Sequence, residues 1–149
     1  MKVSIYTDGA AIGNPDGPGG YGVVLEYVDP KGELHVKELS GGYVRTTNNR
    51  MELTAVIAGL SALKYPCEVT ITSDSKYVID AIQQGWAKKW RAQGWMRNKK
   101  EKALNPDLWE TLLDLLDVHD VTFRWVKGHA GHPENERCDE LAVLESKKF

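Results

Sequence analysis

Between residues 48 and 64, Leu53, Val56, Ile57, Leu60 and Leu63 recur at helical spacing. Beyond Pro66 follows a stretch, residues 68–74, in which Val69 and Ile71 alternate as in a strand. Residues 46–49 supply candidates for the helix cap, and the proline closes the far end. A strand on the near side of this helix would have to run parallel to the one beyond it, because a helical crossover returns the chain in the same direction. Such a strand is available. Residues 2–8 alternate Val3 and Ile5 with polar positions and end in Asp8-Gly9.

The rest of the chain fills out one α/β domain over residues 1–149. A glycine-rich loop is expected at residues 13–20. Residues 21–28 and 33–44, separated by the turn signal Asp29-Pro30-Lys31-Gly32, read as an antiparallel hairpin. Residues 75–84 predict a second helix. Asn105-Pro106 reads as the cap and first-turn proline of a helix carrying Leu108, Leu112, Leu113 and Leu116. Residues 121–127 form a fifth strand, and residues 134–147 a last helix whose inner face is Cys138, Leu141, Ala142 and Leu144. The expected architecture is a five-stranded mixed sheet flanked by helices. Hydrophobic residues make up 42% of the chain, enough for a core without a partner.

No apolar run approaches the roughly 18 residues that span a bilayer, and the start of the chain turns charged and glycine-rich too early for a signal peptide. A cytoplasmic monomer with no membrane partner is expected. Cys67 and Cys138 lack metal-type spacing and read as two reduced thiols. The net charge of −2 conceals a segregation. Lys88, Lys89, Arg91, Arg97, Lys99, Lys100 and Lys102 face one acid, Glu101, within residues 85–102, so that segment carries +6 and the remainder −8. Trp86, Trp90 and Trp95 lie in the same stretch. Positive charge interleaved with flat apolar rings suits a nucleic-acid backbone, and the segment is expected to form a basic helical protrusion. A solvated surface helix anchored by its tryptophans has the same signature.

Ligands of parallel α/β sheets collect beyond the carboxyl ends of the strands, where Asp8 and Asp74 both fall. Glu52 in the first turn of its helix and Asp139 one turn into the last helix can converge there. Each acid alone has an ordinary explanation as a strand terminator, a helix-dipole partner or a surface charge. Four crowded carboxylates repel one another unless hard divalent cations neutralise them, and oxygen-only ligands favour magnesium or manganese over zinc.

The segments YTDGAAIGNP, GGY, RTTNNRMEL, TSDSKYV, NPDLW and VKGHAGHPENERCDELA, in that order over nearly the whole chain, resemble those of bacterial type 1 ribonucleases H. The resemblance implies an endonuclease that hydrolyses the RNA strand of RNA/DNA hybrids with two magnesium ions, manganese being a possible substitute, and leaves 5′-phosphate and 3′-hydroxyl ends. Asp8, Glu52, Asp74 and Asp139 would be the metal ligands, and His129 a loop group that moves protons or releases product. A DNA-phosphate pocket is implied at Arg45, Thr47 and Asn105, and a DNA-facing pair at Trp86 and Trp109, although Trp109 in its leucine-rich helix could equally be core. The RNA strand would be read near Gly9, Ala10, Asn14, Asn48 and Asn49; Lys88, Lys89 and Arg91, read from the charge of the basic segment, would meet the phosphate backbone. Two departures stand out. The glycine-proline loop carries an apparently inserted Asp16, and the first hairpin is lengthened around residues 31–37. A DNA-cutting nuclease of the same architecture and a non-catalytic hybrid-binding module are the alternatives.

Overall fold

The computed structural model describes residues 1–13, 16–128 and 131–149. In chain order the elements are β1 (Lys2–Ala11), β2 (Gly17–Val28), β3 (Leu34–Thr46), α1 (Asn48–Ser61), β4 (Glu68–Ser73), α2 (Lys76–Gln83), α3 (Trp86–Ala92), α4 (Pro106–Val118), β5 (Asp120–Trp125) and α5 (Pro133–Ser146). The five strands form one sheet in the order β3-β2-β1-β4-β5. β1 is antiparallel to β2 and parallel to β4, and β4 is parallel to β5. This is the mixed α/β sheet expected from the sequence.

Strand alternation divides the core into two layers. On one face Val3, Ile5, Val23, Leu25, Val69 and Ile71 pack with Leu53, Val56 and Leu60 of α1 and with Trp109, Leu112 and Leu113 of α4. On the other face lies α5, which buries Cys138, Ala142 and Ser146. The second layer depends on close approach: a Cβ at Gly22 would sit 2.3 Å from the Cys138 carbonyl oxygen. Gly22 pairs with Asp8 across β1 and β2, so the glycine that admits α5 also sets it beside Asp8.

Several local expectations are corrected. Residues 17–20 are strand, because Gly19 and Gly20 pair with Ala11 and Ala10 and extend the hairpin through the glycine-rich region. Leu144 is exposed, and Ser146 takes the inward position of the last turn of α5. Asn105 precedes α4 but does not cap it: its backbone is left-handed, at φ 58°, and its side chain makes no cap bond. The basic segment is helical only over the seven residues of α3; beyond it, Met96 and Lys102 form an isolated bridge. No helix among the described residues is long and apolar enough to cross a membrane.

Candidate active site

Asp8 lies on β1 at the end where β4 terminates, and Asp74 immediately follows Ser73, the last residue of β4. β1 runs on to Ala11 against β2, so Asp8 is not its last residue as the sequence led one to expect; its parallel pairing with β4 ends with Tyr6 against Thr72, which sets Asp8 beside Asp74 where β4 stops. Glu52 arrives from α1. Thr47 caps that helix by accepting from the Arg50 amide at 3.1 Å, and a Cβ at Gly9 would sit 2.5 Å from the Glu52 amide nitrogen. Only glycine lets the helix approach β1 this closely. Carboxylate oxygens of Asp8, Glu52 and Asp74 all lie within 4.8 Å of one another. Asp139 of α5 lines the same cavity as Asp8 and Asp74, together with Lys127, His132, Asn135 and Glu136.

Crowding in a buried place governs the proton chemistry. Burial first, then the charges of Asp74 and Asp139, push Asp8 up to about 8. Glu52 is pushed well above the usual carboxylate range, again by burial first and then by Asp8 and Asp74. The hydrogen bond between Asp8 and Glu52 lowers Asp8 and raises Glu52 further. Glu52 Oε2 is buried without a hydrogen-bond partner among the described residues. A buried orphan oxygen inside a cluster of oxygen donors is what a hard divalent cation satisfies, so these residues fit such an ion.

The other residues singled out in the sequence are distributed around this centre. Asn48 Oδ1 accepts from the Ala11 amide at 2.6 Å, tying the start of α1 to the end of β1 beside Gly9 and Ala10; Asn49 is exposed. Asn14 and His129 lie outside the described residues. Asn105 accepts from Arg50 at 3.2 Å and donates to the Tyr77 hydroxyl at 3.2 Å, which draws it toward the start of α1, where Thr47 sits. Arg45, at the end of β3, is paired with Asp16. Trp86 is 45% exposed. Trp109 is wholly buried, so its expected DNA-facing role is corrected: it is a core ring that donates to the Tyr77 hydroxyl at 2.9 Å.

Lys88 and Lys89 are exposed, whereas Arg91 leans on α4 with Asp114 at 3.5 Å and Glu110 at 3.9 Å. A groove runs between Tyr77, Trp86, Lys89, Trp90, Arg97 and Leu104. Tyr77, Arg50, Trp125 and Asn135 were not singled out in the sequence. Tyr77, Arg50 and Asn135 lie within the ribonuclease H-like segments, but their partners belong to elements that sequence spacing does not relate.

The chain matches the RNase H family model over residues 1–147. It is 65% identical over 147 residues to a ribonuclease H of Desulforamulus reducens, covering 99% of this chain and 89% of that protein. To a ribonuclease HI of Synechocystis it is 60% identical over 142 residues, covering 95% of this chain and 86% of the relative. Among solved structures, LC9-RNase H1, described as a type 1 RNase H with the type 2 active-site motif, superposes with a TM-score of 0.88 at 35% identity, over 99% of this chain and 72% of that one. LC11-RNase H1, solved in complex with RNA/DNA hybrid, superposes with a TM-score of 0.71 at 26% identity, over 98% and 97%. With its acids gathered at the carboxyl edge of such a sheet, the chain belongs to the ribonuclease H family.

Proposed function

We propose that this chain cuts the RNA strand of RNA/DNA hybrids at the carboxylate cluster, using two magnesium ions and leaving 5′-phosphate and 3′-hydroxyl ends, as a monomer in the cytoplasm. The observation that carries the reading is the convergence of Asp8, Glu52 and Asp74 within 4.8 Å, with a buried oxygen on Glu52 that has no hydrogen-bond partner among the described residues. Asp8, Glu52 and Asp74 would hold one cation and Asp8 with Asp139 the other; manganese suits the same oxygen donors. When bound, the cations supply the positive charge that favours in-line attack by water and departure of the 3′ oxygen. The protein holds the acids in place: β1, paired at Asp8 with Gly22 of β2, fixes Asp8, the end of β4 fixes Asp74, and the capped start of α1 fixes Glu52. His129 would move protons or help release product.

Substrate reading follows the same division. Backbone and amide groups near Gly9, Ala10, Asn14, Asn48 and Asn49 would meet consecutive 2′-hydroxyls, the feature that separates RNA from DNA. Arg45, Thr47 and Asn105 would receive a phosphate of the DNA strand. Trp86, Lys88 and Lys89 would border its path along the aromatic and basic groove, with Arg91 less available because of its acidic partners on α4.

Cleavage of a labelled hybrid, beside duplex DNA and duplex RNA, with and without magnesium, tests the reading directly. The parent is expected to cut only the hybrid and only with magnesium, and Asp74→Asn to cut nothing. Metal-free cutting, or equal cutting of duplex DNA, overturns it.

A further inference from the structure

The apparently inserted Asp16 does not merely add charge near the nucleic acid. Gly17 pairs with Thr46 at the start of β2, and the register shifts between Gly17 and Gly19. The Asp16 amide donates to the Gly13 carbonyl at 3.2 Å and the Ile12 amide to the Pro18 carbonyl at 2.7 Å. Asp16 therefore stands diagonally across from Arg45, the residue before Thr46. Its carboxylate takes Arg45 as a fork: Nε donates to Oδ1 at 3.1 Å and Nη2 donates to Oδ2. That is the two-pronged geometry with which a guanidinium also grips phosphate.

We propose that the Asp16 carboxylate is an internal competitor for the phosphate that Arg45 receives, so that hybrid binding exchanges one anion for another on the same guanidinium. The inference rests on the reading of Arg45 as a DNA-phosphate contact. Both side chains are largely exposed, Arg45 at 71% and Asp16 at 62%, so water and salt screen the pair and little holds it closed. The Arg45 hydrogen bonds and charge hold the Asp16 carboxyl below its ordinary range. An arriving phosphate meets a guanidinium whose fork is already occupied, and must displace the Asp16 carboxylate from it. Asp16 is in this way an affinity-setting residue, lowering the grip on the DNA strand without touching the reacting atoms.

The test is a double-mutant cycle on a short RNA/DNA hybrid in magnesium, reading KM and kcat for the parent, Asp16→Asn, Arg45→Ala and the double variant, with melting curves to verify folding. Asn keeps the shape of Asp16 and removes its charge. The expected result is a KM about two- to fivefold lower in Asp16→Asn, the range an exposed ion pair commands, with the change confined to KM. Arg45→Ala should raise KM, and the double variant should match Arg45→Ala alone. If Asp16→Asn leaves KM unchanged or raises it while Arg45→Ala weakens binding, Asp16 does not compete and the proposal falls with the Arg45 assignment intact. If the gain persists undiminished without Arg45, Asp16 acts by plain repulsion and the exchange is wrong. If Arg45→Ala leaves KM unchanged, the phosphate assignment itself fails and takes the proposal with it.

Discussion

The indole Nε1 of Trp125 donates a hydrogen bond to the backbone carbonyl of Asp74 at 3.1 Å, so the last residue of β5 steadies the acid that follows its parallel neighbour β4. Lys76 sits 4.9 Å above the same ring, in cation–π range. Trp125→Phe keeps an aromatic ring and removes the donor. We expect kcat to fall several-fold at nearly unchanged KM, with a stability loss of about 0.5–1 kcal/mol, the net worth of one partly exposed hydrogen bond. Steady-state kinetics and a urea melt check this. An unchanged kcat would mean that Asp74 is held without the indole.

The acid cluster opposes folding when no metal is present. Asp8 is raised to about 8 and Glu52 is raised in the same direction, so the folded state keeps protons that the unfolded chain gives up near its ordinary carboxylate values around 4. The contribution of these two carboxyls to stability is therefore fully present below about pH 4 and is lost progressively as the pH rises towards about 8. In chelator, the melting temperature of the parent should fall relative to that of Asp8→Asn across this window. Near neutral pH the variant should be about 1 kcal/mol more stable, or about 2–4 °C. Thermal melts from pH 5 to 8 read the difference. A constant offset between parent and variant would show that the carboxyls do not titrate as one site.

Added magnesium should reverse that order, because ions that bind only the folded cluster stabilise it by mass action. The parent is expected to gain more than Asp8→Asn or Asp74→Asn in melts with millimolar magnesium at low salt. Equal gains would place the bound ions elsewhere.

The basic segment is expected to act unevenly. Neutralising Lys88 or Lys89, which are exposed, should reduce the magnitude of the log-log salt slope of hybrid binding by roughly 0.7–0.9 for each phosphate that the protein no longer neutralises. Arg91→Ala should change it less, because Arg91 already faces Asp114 and Glu110. Binding titrations at several salt concentrations separate the two, and a larger effect from Arg91 would show that its acidic partners release it to the backbone.

The two tryptophans of the expected DNA-facing pair should part company. Trp109→Ala should cost about 3–5 kcal/mol of stability, as truncation of a buried aromatic does. Trp86→Ala should leave stability within about 0.5 kcal/mol, as at an exposed position, and weaken hybrid binding by about 1–3 kcal/mol because a base can no longer stack on the indole. Denaturant melts and binding titrations on both variants read the contrast. Equal stability losses would put Trp86 in the core as well.

Local chemistry alone determined much of this protein. The helical spacing of α1 and the alternation of Val3 and Ile5 and of Val69 and Ile71 specified a parallel pairing; Asp74 follows its strand as expected, whereas β1 continues past Asp8 to Ala11 because it goes on pairing with β2. Those signals are periodic along the chain, and a crossover has essentially one solution. Tertiary structure decided what depends on residues far apart in sequence. Trp109 and Trp86 are the same residue type near the start of a helix, yet only one is enclosed by the core. Asn105 has the composition of a cap, yet its side chain goes to Arg50 and Tyr77. Asp16 reads as one more surface charge until the β2–β3 register sets it against Arg45. Burial, the raised carboxyl of Glu52 and the pairing of Arg45 are set by which surfaces meet once the sheet and its two helical layers close, and a linear pattern does not encode those distances.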